Sequence, residues 1–322
     1  MSQNAKHVFI LNPVAGKGKM QSNLQEQIER TCTAAGVDYE IHLTGSVGEA
    51  TEFVRHTCEQ HPELSLCFYA CGGDGTLSET VNGAYGFANA AVGVIPVGTG
   101  NDFVRNFAHS EAFLDIAAQI EGERISLDLM QYNGKLCANM INIGFDCEVV
   151  KQTAKLKKNK LVPKSLTYIV GLVITLIRKP GVKAGVSFDG GEVQHRSMLL
   201  TSVANGAFCG GGFHSTPLAL LQDGVLDMLL IKNVSRTRFL TLVSMYKNGT
   251  FVGHPRAKGI IDYVKCQQVR YYFDGVQSIC VDGEVVDVRE LEIGVVRDAL
   301  QLIVPKGAAY QPAEQARPVG VC

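Results

Sequence analysis

The chain has 322 residues, with 30 Lys and Arg set against 31 Asp and Glu and a formal net charge of −1. That balance removes any bulk electrostatic argument for a nucleic-acid partner, and the length suggests about two domains. Apolar residues make up 46% of the chain, ample for ordinary globular cores. Ten cysteines form no C-x-x-C pair and stand apart from any histidine cluster, so neither a zinc site nor a disulfide framework is signalled. Reduced thiols in a cytoplasmic compartment are expected. The start is polar through Lys6 and then turns strand-like, which gives no signal-peptide pattern.

In chain order, apolar runs predict strands at 8–11, 39–43, 66–70 and 92–96, and helical periodicity predicts helices at 20–35, 47–59, 75–84 and 113–121. Gly36 after Ala34-Ala35 reads as a left-handed helix stop. Alternating strands and helices predict an α/β N-terminal domain over 1–128, with an open, mostly parallel, Rossmann-like sheet. From about Leu129 the texture changes to short alternating strands with Asx-Gly turns at 133–134, 189–190, 223–224, 274–275 and 282–283. Val186-Ser187-Phe188 and Met198 to Val203 are expected to pair across the second of these turns. The reading is an all-β, sandwich-like or barrel domain over 129–306, interrupted by a helix at 166–177 and one near 238–247, then a loose tail over 307–322.

Three of the predicted strands run into glycine loops. After Leu66 to Ala70 comes Cys71-Gly72-Gly73-Asp74-Gly75-Thr76, which opens a helix. Glycines in such a turn bring backbone N–H groups close to a ligand, and the helix start adds unpaired donors and a positive dipole end, a setting that suits phosphate. An acid there makes sense if a cation stands between it and the phosphate, or if it orients a hydroxyl nucleophile. After Val92 to Ile95 comes Pro96-Val97-Gly98-Thr99-Gly100-Asn101-Asp102-Phe103, and after Val8 to Leu11 comes Asn12-Pro13-Val14-Ala15-Gly16-Lys17-Gly18-Lys19. None of the three has Walker A spacing, and Gly72 to Ser78 does not fit G-x-G-x-x-G. All three fall at one edge of a parallel sheet, where open α/β folds bind ligands.

The longest apolar stretch, Leu166 to Ile177, is twelve residues long, too short to span a bilayer, which needs about 20. Before it, 151–164 carries six lysines and no acid, and Arg178 and Lys179 follow it. Two readings stay open: a surface for an anionic membrane, or a solvated loop and a core helix.

Six blocks in order resemble the diacylglycerol kinase catalytic domain family of soluble bacterial lipid kinases, which also includes sphingosine and ceramide kinases. They are Asn12-Pro13 with Gly16; Gly72 to Thr76; Pro96 to Phe103; Asn139 to Asp146 around Gly144-Phe145; Gly210-Gly211-Gly212-Phe213 with Pro217 to Asp227; and Asp282-Gly283-Glu284. The resemblance implies ATP bound in a cleft between an α/β domain and a β-sandwich, and magnesium-dependent transfer to a lipid hydroxyl. It implies a nucleotide site of Asn12, Thr44, Gly72, Gly73, Asp74, Gly75, Thr76 and Thr99. It makes Asp74, Asp102 and Asp128 partners of the catalytic magnesium and Glu284 the general base. It implies a separate structural magnesium held by Asp223 and the backbone carbonyls of Leu220 and Val225. A lipid substrate in phospholipid metabolism and a cytoplasmic protein touching the membrane peripherally follow from it. Gln222 stands where the family often has an Asp.

Read without the family, Asp282-Gly283-Glu284 is a hairpin turn with an acid on its flank, Asp223-Gly224 is a plain turn, and Asp102 is a first-turn acid that a helix dipole favours. Two other readings are weighed: an NAD kinase-like phosphotransferase on a soluble substrate, which shares the Gly-Gly-Asp-Gly-Thr loop, and a non-catalytic nucleotide or lipid sensor. The lipid's identity and the oligomeric state are not written in the sequence.

Overall fold

The structure is a computed structural model that describes residues 5–15, 19–157, 167–178 and 181–310. The Gly16-Lys17-Gly18 segment, Lys158, Lys160, Lys164, Lys179 and the tail beyond 310 lie outside the described residues. Contacts divide the chain into two compact units, one of Met1–Leu129, Leu221–Asp223 and Val296–Glu314, the other of Met130–Leu220 and Gly224–Val295.

In the first unit, β1 (Ala5–Leu11), α1 (Lys19–Ala35), β2 (Asp38–Leu43), α2 (Glu49–Gln60), β3 (Ser65–Gly72), α3 (Asp74–Ala84) and β4 (Ala90–Pro96) alternate in sequence. The strands pair in parallel in the order β4-β3-β1-β2. Their inner residues are fully buried, which is why they read as continuous apolar runs. On one face Leu24, Ile28 and Cys32 of α1 pack with Phe9, Leu11, Tyr69, Cys71 and Ile95. Helices α2 and α3 approach closely: a Cβ on Gly83 would stand 2.7 Å from Val54 Cβ, so only glycine fits there. Glu79 of α3 accepts from the N–H groups of Gly48 and Ala50 at 2.9 and 3.2 Å, supplying acceptors to the first turn of α2.

After β4 come the two-residue strand β5 (Phe107–Ala108) and α4 (Ile116–Ile120). The helix expected over 113–121 is shorter because Asp115 is extended and its carboxylate caps the N–H groups of Ala117 and Ala118, fixing the start at Ile116.

The second unit is built from the end of β6 (Glu123–Tyr132), β7 (Lys135–Cys137), β8 (Met140–Gly144), α5 (Phe145–Lys157), α6 (Thr167–Arg178), β9 (Val182–Phe188), β10 (Gln194–Ala204), β11 (Leu226–Lys232), α7 (Arg236–Asn248), β12 (Ile261–Cys266), β13 (Gln268–Val281) and most of β14 (Glu284–Val304). Antiparallel pairing makes this unit barrel-like. The first half of β10 pairs with β9 and the second half with β8, and β13 likewise pairs with β9 and then β8. Alternation sorts the side chains: Leu226, Met228 and Leu230 of β11 enter one apolar cluster, while Leu229 and Ile231 enter another with Phe145 of α5 and Phe239 and Tyr246 of α7.

Several expectations are corrected here. A third helix, α5, interrupts the β-rich half, so the described part of the lysine stretch, up to Lys157, is the end of a helix rather than a loop. Lys151 Nζ donates to Ser278 Oγ at 2.9 Å and Lys155 is exposed. Val182–Val186 pairs with 194–198, so Met198 stands opposite Val182 and Val186 opposite Gln194; the bend at Asp189 is longer than a two-residue turn, and its carboxylate accepts from the N–H groups of Gln267 and Gln268. Asp274-Gly275 lies inside β13 at a register shift, not at a hairpin. The linear division at 129 is also crossed. The end of β14 pairs Gln301 and Leu302 in parallel with Ala91 and Val92, and β15 (Ala309–Tyr310), within the expected loose tail, pairs with β5.

Candidate active site

The strand β3 ends at Gly72, and Gly73 is extended with φ −101° and ψ −167° before α3 begins at Asp74. Leu77 N–H bonds to Gly73 O at 3.1 Å, closing the first turn. Gly72 is required because a Cβ there would overlap the Thr76 side chain. Thr76 is buried, and its Oγ1 accepts from Asn12 Nδ2 at 3.2 Å. Asn12 Oδ1 in turn accepts from Val14 N–H at 3.1 Å, an Asx turn that bends the chain out of β1. The first two glycine loops are thus tied by the Asn12 side chain and by Asn12 N–H, which donates to Cys71 O at 3.2 Å.

The loop after β4 is tied more closely still. Gly98 N–H donates to Gly72 O at 3.0 Å, and a Cβ on Gly98 would overlap Gly73 backbone. Asn101 holds a left-handed φ of 52°, and its Nδ2 donates to Pro96 O and Gly98 O at 2.9 and 3.0 Å. Its Oδ1 is buried with no hydrogen-bond partner. Asp102 N–H donates to Asp74 Oδ1 at 3.0 Å, and Arg105 Nε lies 3.3 Å from Asp102 Oδ1. The remaining oxygens converge: the absent Cβ of Gly100 would lie 2.7 Å from Asp74 Oδ2 and 3.7 Å from Asp102 Oδ2. Gly72, Gly73, Asp74, Pro96, Asn101 and Phe103 line a small recess.

Chemically, this is a set of backbone donors at a helix N-terminus with two carboxylates beside them. Asp74 sits in the first turn of α3, where the dipole favours a negative charge. Magnesium in phosphoryl-transfer sites takes one or two carboxylates and completes its shell with water and substrate phosphates. The convergence of Asp74 and Asp102 on the space beside Gly100 fits that donor set. Among the described residues no group of three or more His, Cys, Asp or Glu side chains is poised to hold an ion.

Other expected site residues take no part in the Asp74–Asp102 bond. Thr44 is buried, and its N–H and hydroxyl both donate to Leu11 O, at 2.9 and 3.3 Å. Thr99 is exposed between Gly98 and Gly100. Asp128, 3% exposed, uses Oδ1 to accept from Asp298 N–H at 2.8 Å, and its own N–H donates to Leu221 O at 2.9 Å. It is therefore a buried anchor for the returning segments. Asp223 closes the short Leu221–Asp223 segment of the first unit, whereas Leu220 and Val225 belong to the second.

Glu284 is exposed, opens β14 and pairs with Val281 across a two-residue hairpin. Both turn residues are left-handed, with φ 45° at Asp282 and 90° at Gly283, the geometry that Asp-Gly serves. Asp282 accepts from the N–H groups of Ala138, Asn139 and Met140 at 3.0, 3.2 and 2.9 Å, and its N–H donates to Met140 O at 3.0 Å. Burial raises its carboxyl above the usual range, and these backbone bonds oppose that rise. The turn is locked to the strand beside it, so the position of Glu284 is fixed by backbone bonds. The sequence reading missed this role of Asp282, and it placed Gly98, Gly100 and Asn101 in a glycine loop without giving them individual roles.

Residues 6–132 match the diacylglycerol kinase catalytic domain, and residues 139–304 match the YegS C-terminal NAD kinase beta sandwich-like domain. A diacylglycerol kinase of Bacillus subtilis (strain 168) is 27% identical over 308 residues, covering 94% of this chain and 97% of its own length. A diacylglycerol kinase of Staphylococcus carnosus (strain TM300) is 27% identical over 280 residues, covering 86% and 87%. Among solved structures, a diacylglycerol kinase from Bacillus anthracis str. Sterne superposes with a TM-score of 0.66 at 22% identity, covering 97% of this chain and 99% of that one. That likeness concerns the fold. The chain belongs to the bacterial family that joins a diacylglycerol kinase catalytic domain to a YegS-type C-terminal domain.

Proposed function

We propose that this protein is a lipid kinase that transfers the γ-phosphoryl group of ATP to a hydroxyl of diacylglycerol or a related lipid at the membrane surface. The observation that carries the reading is the bond from Asp102 N–H to Asp74 Oδ1, which draws two carboxylates together over a pair of glycine loops in backbone contact. Phosphoryl transfer depends mainly on positioning and on neutralising charge on the transferred group. The N–H groups of 72–76 at the start of α3 would cradle the phosphates, and Asn12, Thr44 and Thr99 would border the nucleotide. Asp74 and Asp102 would hold magnesium, which supplies charge neutralisation between phosphate oxygens and carboxylates when bound. Asp128 would stand with them beside the magnesium. Glu284 would accept the proton of the attacking lipid hydroxyl, worth roughly 10²–10⁴-fold. Asp223, with the carbonyls of Leu220 and Val225, would hold a structural magnesium. The relatives' names support the lipid class, and the cytoplasmic, peripherally attached state follows from a lipid acceptor. Residues 1–128 and 129–306 would then divide nucleotide and lipid binding between them.

The test is phosphate transfer from labelled ATP, with magnesium, into a total lipid extract, beside the same assay with NAD. A labelled lipid is expected, and its mobility begins to name the acceptor. Labelled NADP with no labelled lipid would replace this reading with the soluble-substrate one.

A further inference from the structure

Between Asp227 and Asp262 the chain has no acid and carries Lys232, Arg236, Arg238, Lys247, Arg256 and Lys258. All six are exposed. In a chain with a formal net charge of −1, this is a strong local excess of cations. It is also placed against helix preference. Arg236 and Arg238 occupy the first turn of α7, which holds no acid, although the dipole there disfavours positive charge. Ser235 already caps the helix by accepting from Arg238 N–H at 3.2 Å, so the arginines are not needed for its start.

Side-chain bonds tie three of these cations to neighbouring segments. Arg236 Nη2 donates to Ile177 O at the end of α6, Arg238 Nη2 to Arg256 O at 3.2 Å, and Lys232 Nζ to Gly259 O at 3.0 Å. A carbonyl is neutral, so these bonds orient the cations without cancelling their charge. Two large apolar side chains stand out among them: Ile177 is 64% exposed, and Leu240, one helical turn beyond Arg236, is 56% exposed. Basic groups interleaved with exposed aliphatic ones suit the boundary between anionic headgroups and acyl chains.

We infer that the start of α7, the end of α6 and the 254–258 loop form the surface by which the protein docks on an anionic lipid bilayer. The choice of a bilayer as occupant rests on the lipid-kinase reading and on charge complementarity. The cations meet headgroup phosphates, and Ile177 and Leu240 enter the apolar boundary. Orientation on the membrane is thereby set by the second unit.

The experiment is flotation of the full chain with vesicles of phosphatidylcholine and phosphatidylglycerol, 7:3, beside pure phosphatidylcholine. Binding is expected to the anionic vesicles only and to weaken with salt. Removing two surface cations, Arg236→Gln with Arg238→Gln, is expected to weaken it about 30-fold, and Leu240→Ser to weaken it less. Lys135→Gln with Arg289→Gln, which removes the same charge from the β7 and β14 strands, leaves it unchanged. Equal weakening in both charge pairs, or full binding by the α7 variants, overturns the inference, as does wild-type failure to bind. Turnover on detergent-dispersed lipid separates the two readings: α7 variants keep it, and its absence in the wild type would count against the kinase rather than the docking surface.

Discussion

Asp102 donates its backbone N–H to Oδ1 of Asp74, 3.0 Å away, across 28 residues of sequence. One acid thus orients the other by its main chain, and both carboxylates keep an oxygen on the side of Gly100. This arrangement makes the proposed magnesium-holding role of Asp74 separable from its structural role.

Asp74→Asn keeps an acceptor for Asp102 N–H and removes the charge. Turnover is expected to fall roughly 10²–10³-fold, the range for losing one preorganised electrostatic contact, with the urea midpoint within experimental scatter of the wild type. A variant with wild-type turnover would remove Asp74 from the chemistry.

Gly100→Ala tests the same space without removing a charge. Its Cβ would lie 2.7 Å from Asp74 Oδ2, and the carboxylate must move. Overpacking of this kind costs about 1–3 kcal/mol where the neighbour is rigid, but here the neighbour is a carboxylate end that can rotate. The expected result is therefore a larger loss in turnover and magnesium affinity than in stability. Gly98→Ala behaves oppositely, because its Cβ meets Gly73 backbone, and its main effect is a lower unfolding midpoint.

How much of this was legible depends on what made each feature. The two glycine loops were readable because only glycine permits backbone at such distances, so Gly72 and Gly98 announce close approach by residue type. Asn101 did not, since its left-handed backbone and its two bonds to carbonyls come from the loop's path. Helix α5 was hidden because its buried face, with Phe145 and Val149 against the α7 cluster, is mixed with Asp146, Glu148 and Lys151. The returns of Leu221–Asp223 and Val296–Glu314 to the first unit are set by long-range pairing that no local pattern carries.

Glu284→Gln keeps the hairpin and removes the proposed base. Turnover is expected to drop roughly 10²–10⁴-fold while nucleotide binding, followed by calorimetry, is unchanged. Unaltered turnover would assign the proton to another acceptor.

Asp282→Ala separates position from chemistry at the same hairpin. It leaves the N–H groups of Ala138, Asn139 and Met140 without their acceptor, and leaving buried donors unpaired costs about 1–3 kcal/mol. The variant should unfold at lower urea and, where folded, lose turnover with little change in nucleotide affinity. Turnover that stays intact in the folded fraction would show that Glu284 needs no such support.

The last prediction concerns pH. Asp146 accepts a hydrogen bond from Tyr246 at 2.5 Å beneath the aromatic cluster of α5 and α7. Burial pushes its carboxyl from 3.8 up to about 6, and the Tyr246 bond opposes that rise in part. A raised carboxyl means that the folded chain holds its proton more tightly than the unfolded chain. The stability this confers is fully present below the ordinary value and is lost as pH climbs through about 6. Asp146→Asn keeps an acceptor for Tyr246 and cannot titrate. Measured by urea unfolding at pH 4 and pH 7, wild-type stability relative to this variant should fall by about 2 kcal/mol. His7 and His214, whose burial lowers them, titrate alike in both proteins and drop out of the difference. A difference that stays constant across that interval would mean that Asp146 is ionised in the folded protein throughout.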